Sequence, residues 1–331
     1  MQFSIVIPTR NRPDQLRVAV ASVLAQTLWN DSADIEIIIV DDGSDPEHEA
    51  AHAQLARELG PRGHLIHLPH VAGGHGPAFA RNTAVSVARG TWIGFLDDDD
   101  VWIDNDAIAR AAVVAQRHLA RHGVLPDLML SDQVAFAHGR LLDRSIWTED
   151  LNSFVEHTRE PAPFEAHRVD VPTLLRCQGF CHLNTTLVRR AFFQEIGGFD
   201  ENLRYESDRD FYLRAIDAAR AILYMPFVTS RHNVPDPDER KNVSTAITPY
   251  RRRLFQLRLL NKTILFARTP ELIAYGRRHR GYTLKKLAEE LWRNGQPRSA
   301  LYFAKQALFI DLGGKWTFFT LWLLALSCLL P

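Results

Sequence analysis

Short apolar runs rich in Val and Ile alternate with helical patterns through the front half of the chain, and this alternation constrains the fold most. Phe3 to Ile7 and Ile35 to Val40 are the first two runs, with Glu36 the one polar residue of the second, and Thr91 to Leu96 is a later run. Nearly continuous apolar runs are typical of parallel strands that are covered by helices on both faces. The sequence therefore predicts an α/β fold with a Rossmann-like, mostly parallel sheet.

Helices are predicted between these strands from apolar residues spaced three and four positions apart. Pro13 opens the first helix, and Asp104 is expected to cap a later one. The other predicted elements are helices at 46–59, 78–88 and 206–219 and strands at 64–68, 127–137 and 180–188. The stretch 140–170, with its Pro, Glu and His residues, indicates an irregular excursion over the surface.

The sequence changes character beyond Val234, where only helical patterns remain. Residues 251–315 hold 15 Lys or Arg and 4 Asp or Glu, whereas residues 1–250 hold 24 and 35. A helical hairpin is predicted about the turn at 294–297. We therefore divide the chain into an α/β domain at 1–235, a basic helical extension at 236–311 and an apolar C-terminal segment at 312–331.

The stretch from Trp316 to Leu330 contains 15 residues without a charge, fewer than the roughly 20 that a membrane-spanning helix needs. Its aromatic residues and the basic region before it favour peripheral attachment to an anionic membrane surface. A docked C-terminal helix and a partner-binding helix are the alternatives. Because no secretory signal is found and only three cysteines occur, we expect a cytoplasmic protein at the cytoplasmic face of the membrane. No nucleic-acid-binding motif is found, and no nucleic acid is expected as a partner.

Acidic residues directly follow two of the predicted strands. Asp41 and Asp42 end the second strand, and the run Asp97 to Asp100 ends the strand at 91–96. Ligands of open α/β sheets bind at the carboxyl ends of strands. Carboxylates this close ionise together only when a cation lies among them, and oxygen ligands suit Mn2+ or Mg2+. We therefore expect a divalent cation bound to a diphosphate; an acidic helix cap for the run and a turn-forming role for the pair are the alternatives.

Five sequence strings follow one another between residues 3 and 233: SIVIPTRNRPDQLRVAVASVLAQT, IEIIIVDDGS, GPAFARN, WIGFLDDDD and GGFDENLRYESDRDFYLR. Together they resemble the family 2 glycosyltransferases, which are inverting enzymes of the GT-A fold. The resemblance implies metal-assisted transfer of a sugar, by single displacement, from a UDP-, GDP- or dTDP-sugar to a hydroxyl acceptor. A lipid-linked saccharide or a surface glycan is the expected acceptor.

The resemblance also implies roles for residues at matching positions. Nucleotide contacts are expected from Pro8, Thr9, Arg10, Asp41, Asp42, Arg81 and Asp98. Asp97 and Asp99 fit the D-x-D motif as metal ligands. Asp208 fits the general base that takes the proton of the acceptor hydroxyl. Ser207 departs from the pattern, because the family has Glu there, and this leaves Glu206 as the neighbouring acid.

Three polar residues outside these motifs complete the expected site. His232 occupies the place of a further metal or phosphate ligand in some GT-A enzymes. His182 and Asn184 precede the FDE string and are expected, with Glu206, to contact the acceptor or the donor sugar.

Ordinary structural roles remain as alternatives to several of these assignments. His232 would then be a loop histidine, Arg81 a solvated helix residue, and Asp208 a carboxylate that complements a helix dipole. Two other functions also remain open. One is a nucleotide-sugar-binding scaffold that has lost catalysis. The other is a sugar nucleotidyltransferase, which needs a glycine-rich loop where residues 8–13 stand.

Overall fold

The computed structural model describes residues 1–31, 34–137, 139–145, 151, 159–160, 166–177, 179–234 and 247–329. The chain divides into two compact units. The first unit comprises residues 1–202 and 207–234, and the second comprises residues 203–206 and the chain from residue 235 onward. Each unit has its own hydrophobic core.

The first unit is built on one sheet of eleven strands within the described residues. In chain order these are β1 Phe3–Thr9, β2 Ile35–Asp41, β3 Gly63–His67, β4 Trp92–Phe95, β5 Val101–Trp102, β6 Leu128–Ala137, β7 Arg140–Ser145, β8 Arg159–Glu160, β9 Ala166–Val169, β10 Thr186–Arg189 and β11 Ile222–Asn233. The helices of this unit are α1 Pro13–Leu24, α2 Thr27–Asp31, α3 Glu49–Leu59, α4 Pro77–Val87, α5 Ala107–His122, α6 Val171–Arg176, α7 Arg190–Glu195 and α8 Ser207–Ala218.

The strand order places the ends of three strands side by side. The order is β3-β2-β1-β4-β10-β6-β11-β9-β8, with β5 paired to β11 and β7 paired to β6. The first four strands of this order run parallel, and β10 lies antiparallel between β4 and β6. Thr9 is opposite Asp41, and Val6 is opposite Phe95. The carboxyl ends of β2, β1 and β4 therefore meet at one edge of the sheet.

The hydrophobic core explains why the apolar runs become strands. Ile5, Ile7, Ile37 and Ile39 are fully buried among the apolar side chains of α1 and α5. Both faces of β1 and β2 lie away from water, because Val6 and Ile38 on the opposite face are also fully buried. Removing this apolar surface from water is the main stabilising contribution to the unit.

Most predicted elements of the first unit occur near their expected positions, with two local differences. The strand predicted at 180–188 begins at Thr186, because Leu183–Thr185 form a 3-10 turn. The prediction that Asp104 caps a helix is wrong: α5 begins at Ala107 and Asp106 precedes it. Asp104 instead accepts hydrogen bonds from the Asp106 N–H and from Arg110. A larger difference lies at 140–170: the prediction of an irregular excursion is wrong for 140–145, 159–160 and 166–169, which form β7, β8 and β9, and most of the remaining stretch lies outside the described residues.

The second unit consists of helices in its described residues. They are α9 Pro249–Phe266, α10 Pro270–Arg293, α11 Pro297–Ile310 and α12 Gly314–Leu329. The hairpin predicted about 294–297 is confirmed by α10 and α11. Leu287, Leu291, Ala304 and Leu323 belong to a separate core cluster, so α12 packs against the other helices through one face.

Among the described helices, none combines the length and the hydropathy that crossing a bilayer requires.

Glu36 offers a test of the first unit's stability. Its carboxylate accepts hydrogen bonds from the Ser4 hydroxyl at 2.6 Å, the Arg89 N–H at 2.7 Å and the Arg89 Nε at 3.0 Å. Burial opposes ionisation, but the hydrogen bonds from Ser4 and Arg89 outweigh it and hold the pKa of Glu36 below its ordinary value. Because the folded-state pKa is depressed, the contribution is present above the unfolded-state pKa and is lost as pH falls through the folded-state pKa.

We expect Glu36→Gln to lower the free energy of unfolding by about 1 kcal/mol at about pH 7. Urea unfolding of both proteins at about pH 7 and about pH 3.5 checks the expectation. The difference between the two proteins should shrink at the lower pH. An equal difference at both values would show that the charge of Glu36 does not stabilise the fold.

Candidate functional site

The ends of β1 and β4 are joined by polar side chains. The Thr9 hydroxyl donates to Asp98 Oδ2 at 2.8 Å, and the Leu96 N–H donates to the Val6 carbonyl at 3.0 Å. On the other side of β1, the Asp42 N–H donates to the Thr9 carbonyl at 2.9 Å. The acidic pair and the acidic run are thus held on the two sides of one strand end.

Arg12 lies over the acidic run and was not predicted as a site residue. Its Nη1 is 3.0 Å from Asp98 Oδ1 and 3.1 Å from Asp99 Oδ2. Burial raises the pKa of Asp98, and the charge of Arg12 only partly offsets this. Burial and the neighbouring carboxylates of Asp100, Asp98 and Asp97 raise the pKa of Asp99 to about 7. Ionisation of all four carboxylates together is therefore unfavourable with the basic neighbours that the run has.

Asp97 is paired with Arg81, which α4 supplies. Arg81 Nη2 donates to Asp97 Oδ1 at 2.5 Å, and Arg81 itself is buried. Burial alone would raise the pKa of Asp97, but Arg81, His182 and His232 outweigh it and lower the pKa below its ordinary value. Arg81 is thus fixed at the strand end and is not a solvated helix residue.

Asn184 connects the first and the last members of the acidic run. Its Oδ1 accepts from the Asp97 N–H at 3.0 Å, and its Nδ2 donates to Asp100 Oδ2. The residue is buried because β10 pairs antiparallel with β4, which brings the turn before β10 to the carboxyl end of β4. Both the oxygen and the nitrogen of the Asn184 amide are hydrogen-bonded to the acidic run, so the amide holds Asp97 and Asp100 in place.

Asp100, His182 and His232 form the cluster that best suits a metal ion in the described residues. One ligand atom from each lies within 4.8 Å of the others. His232 Nδ1 is 2.9 Å from Asp100 Oδ2, and the Asn233 N–H donates to Asp100 Oδ1 at 2.6 Å. β11 positions His232, because Ser230 and Arg231 pair with β5 directly after the acidic run. A carboxylate and two imidazoles suit a divalent cation such as Mn2+.

Asp41 is buried, and both of its carboxylate oxygens are hydrogen-bonded to nearby side chains or N–H groups. Oδ1 accepts from the Ser44 N–H at 3.0 Å and from the Ser44 hydroxyl at 2.5 Å. Oδ2 lies 3.3 Å from His52 Nδ1 and 3.1 Å from His67 Nδ1. Burial opposes ionisation, but these hydrogen bonds hold the pKa of Asp41 well below its ordinary value. Asp41 is therefore an ionised, oriented carboxylate at the end of β2.

Asp42 orders the glycine-rich loop before α4. Its carboxylate accepts from the N–H groups of His75 and Gly76, each at 2.8 Å. Gly74 has a φ of +64°, and a Cβ there would lie 2.4 Å from both Asp42 Oδ2 and Arg10 Nη1. A side chain at position 74 would thus push this loop away from the end of β2.

Arg10 and Pro8 lie at the end of β1, where the sequence predicts contacts to a nucleotide. Arg10 Nη2 donates to the Val71 carbonyl at 3.1 Å, which ties the loop after β1 to the stretch after β3. Pro8 is part of β1 and pairs in register with Val40. The structure thus brings Pro8, Thr9 and Arg10 next to the acidic pair.

Asp208 lies in the first turn of α8. Its Oδ1 accepts a hydrogen bond from the Arg209 N–H at 2.8 Å. Phe211 of α8 packs at 6.4 Å between ring centroids from Phe95, the last residue of β4. Glu206, the residue before α8, belongs to the second unit, where Gln256 donates to its carboxylate at 2.6 Å.

Sequence reasoning missed Arg12, and within the acidic run it named Asp97 and Asp99, not Asp100, as metal ligands. A second basic residue, two positions after Arg10, was the available signal for Arg12. Asp100 was masked by the D-x-D pattern, which accounts for only three of the four acidic residues. No local pattern predicts that His182 lies beside Asp100, because its position depends on the strand order.

The acidic side chains meet at the carboxyl ends of adjacent parallel strands, which is where open α/β sheets bind their ligands. Residues 4–120 match the family described as glycosyl transferase family 2. The PGL/p-HBAD biosynthesis glycosyltransferase of Mycobacterium tuberculosis is 30% identical over 233 residues, which cover 70% of this chain and 76% of that protein. The chain belongs to glycosyltransferase family 2, and the resemblance inferred from its motifs is confirmed.

A second relative differs more in length. A glycosyltransferase of Rickettsia prowazekii is 28% identical over 211 residues, or 64% of this chain. The chain spans 57% of that protein's length.

Solved structures share the fold. TarS 1-349 of S. aureus in complex with UDP-GlcNAc superposes with a TM-score of 0.66 at 20% identity, over 94% of this chain and 83% of that one. The mannosyltransferase PcManGT of Pyrobaculum calidifontis, in complex with GDP-Man and Mn2+, gives a TM-score of 0.55 at 18% identity, over 99% and 86%. The predicted GT-A fold with a C-terminal helical extension is confirmed.

Asn184 provides a test of how the acidic run is held. We expect Asn184→Ala to lower the free energy of unfolding by about 2–4 kcal/mol, because the buried Asp97 N–H and Asp100 carboxylate both lose a partner. Asn202→Ala, at an exposed amide, is the control and should cost less than about 0.5 kcal/mol. Urea unfolding measures both. Equal, small losses would mean that Asn184 does not position the run.

Proposed function

We propose that this chain transfers a sugar from a nucleoside diphosphate donor to a hydroxyl acceptor with inversion at the anomeric carbon. The observation that carries the proposal is the gathering of four carboxylates, two guanidinium groups and two imidazoles at the adjacent ends of β1 and β4. A cluster with excess negative charge, flanked by basic groups, suits a cation and a diphosphate together. The family assignment supports the same class of reaction.

The carboxylate and imidazole groups of the cluster are suitable ligands for a divalent cation. We assign the cation to Asp100, His182 and His232, beside the D-x-D residues Asp97 and Asp99. Two imidazoles favour Mn2+ over Mg2+, which prefers oxygen ligands. Bound there, the cation would neutralise charge on the departing nucleoside diphosphate. Asn184 is then a positioning residue for the acidic run, in place of the sugar contact expected from the sequence.

The donor is proposed to be a UDP-, GDP- or dTDP-sugar. TarS and PcManGT, which share the fold, are titled as complexes with UDP-GlcNAc and GDP-Man, and this supports the class of donor. Arg12 and Arg81 are paired with carboxylates here. The fork geometry of their guanidinium groups suits the phosphate oxygens of such a donor as well.

The nucleoside is proposed to bind beside Asp41 and Asp42. Asp41 already accepts four hydrogen bonds, so a base or ribose would replace one of them, and His67 is its most exposed donor. Asp42 accepts bonds from His75 and Gly76, and it acts by fixing the glycine-rich loop beside Pro8, Thr9 and Arg10. Asp98 is held by Thr9 and Arg12 on the same side.

Asp208 is proposed as the general base. It takes the proton of the acceptor hydroxyl as the hydroxyl oxygen attacks the anomeric carbon and the bond to the nucleoside diphosphate breaks. Its helix is tied to β4 through the contact between Phe211 and Phe95, which places both on one rigid framework. Residues 1–235 would form the catalytic domain, with 236–311 as its helical extension and 312–331 as an apolar segment.

A donor panel tests the function. The chain is incubated with UDP-, GDP- and dTDP-sugars and Mn2+, and the released nucleotide is separated by chromatography. Release of a nucleoside diphosphate with one donor is expected. Release of pyrophosphate would indicate a nucleotidyltransferase, and the absence of turnover with every donor and acceptor would favour a binding scaffold.

The base assignment predicts a specific defect. Asp208→Asn should reduce turnover by a factor of about a hundred or more while leaving the donor dissociation constant within about twofold, because a base acts only in the transition state. Asp217→Asn, on the same helix, is the control and should retain turnover. Kinetics with the identified donor and donor titration calorimetry check both proteins. Unchanged turnover would remove Asp208 from the mechanism.

The cation site predicts a second defect. His182→Ala and His232→Ala should each weaken Mn2+ binding by at least about tenfold, and Asp99→Ala should abolish the dependence of donor binding on Mn2+. His122→Ala on α5 is the control. Calorimetric titration of each protein with Mn2+, and with donor in the presence and absence of Mn2+, gives the affinities. Identical Mn2+ affinity in all variants would contradict the assignment.

A further inference from the structure

The second unit has its most exposed apolar side chains gathered at helix ends. Five large apolar residues of the described chain are at least 73% exposed, and all five lie in this unit. They are Leu265, Phe266, Phe309, Leu312 and Phe318. Leu265 and Phe266 end α9, whereas the other three lie about the turn between α11 and α12.

The two groups lie at the same end of the helical unit. Gly276 of α10 packs against Ile264 of α9, and Gly281 of α10 packs against Ile310 of α11. The two glycines are five residues apart on α10, which is roughly 7–8 Å along the helix axis at 1.5 Å per residue. The Trp316 indole of α12 donates to the Ala304 carbonyl of α11 at 3.1 Å, so α12 runs back along α11. We call this end, with its five apolar residues, the turn end.

Basic residues surround the turn end. Arg268, Arg277, Arg278 and Lys315 are exposed near it. Across residues 247–329 there are 15 Lys or Arg and 4 Asp or Glu, a net charge of 15 − 4 = +11. At the opposite turn, 294–296, residues 283–301, all of them described, include no exposed large apolar side chain, although Trp322 of α12, 39% exposed, packs against Trp292 beside it.

We propose that the turn end docks on an anionic lipid surface, with its apolar residues in the headgroup region and its basic residues paired with lipid phosphates. Exposed Phe and Leu beside Arg and Lys are the composition of interfacial membrane contacts. The charge argues against a second copy as the occupant, because two surfaces of the same positive sign repel each other. The helices are not used to span the bilayer, and α12 keeps Trp316 and Leu323 in the protein core.

Vesicle flotation of the full chain tests the proposal without any need for transferase activity. Phosphatidylcholine vesicles with phosphatidylglycerol should carry the protein, whereas phosphatidylcholine vesicles alone should carry at least about tenfold less, and added salt should weaken the binding. Failure to float with the anionic vesicles would overturn the proposal and leave the sugar-transfer assignment untouched.

Matched variants test the location. Phe309→Ser/Leu312→Ser should reduce flotation at least about tenfold, whereas Val124→Ser, an exposed apolar residue of the first unit, should not. Circular dichroism and urea unfolding verify that each variant folds. Equal flotation of the double variant and the unaltered protein would overturn the docking site. A dimer in analytical ultracentrifugation that the double variant abolishes would also overturn it and assign the surface to a second copy.

Charge reversals at the two ends separate a docking site from general attraction. Arg277→Glu/Arg278→Glu at the turn end should reduce flotation at least about tenfold. Arg293→Glu/Arg298→Glu at the opposite turn changes the net charge by the same amount and should reduce it far less. Equal reductions would overturn the turn end as the contact.

Discussion

The parallel pairing of β2, β1 and β4 is the constraint on which the site depends. Parallel strands end at the same edge of a sheet, so three separate stretches of sequence deliver their following residues to one place. The register of β1 then decides which residues meet. Thr9 stands opposite Asp41 and donates to Asp98, and a shift of one residue would turn Thr9 to the other face of the sheet.

The second half of the sheet completes the cluster by bringing in residues that are distant in sequence. The antiparallel strand β10 carries the preceding turn, and so Asn184 and His182, to the end of β4. β11 is paired with β5 directly after the acidic run, and this fixes His232 beside Asp100. Burying carboxylates so close together is costly unless each is hydrogen-bonded or paired. Asn184, Arg12 and Arg81 supply that pairing in the protein itself.

Residues whose positions depend on the neighbouring sequence could be predicted, whereas residues whose positions depend on the strand order could not. Asp41 and Asp97 were recognised as strand-end residues because an apolar run and the acids that follow it are local. Arg12 and Asp100 were missed because their roles depend on which strand ends meet. Asn184 was expected to face a ligand, but a strand order that no local pattern reveals places it between Asp97 and Asp100. Asp104 was misassigned because the helix begins three residues later, and the side chain of Gln26, distant in sequence, accepts from the Ile108 N–H.

The zero net charge of the chain conceals two different electrostatic surfaces. In the first unit many acidic residues are buried and paired, as Asp97 with Arg81 and Asp98 with Arg12, so their charge acts at the site and little of it reaches the solvent. In the second unit the basic side chains are largely exposed, with Arg277 and Arg278 as examples. Exposed charges are screened beyond roughly 8 Å in physiological salt, so a partner responds to the charge of the patch it approaches. The average over the whole chain therefore describes neither surface, because one end of the helical unit is rich in exposed basic residues while the sheet end concentrates carboxylates.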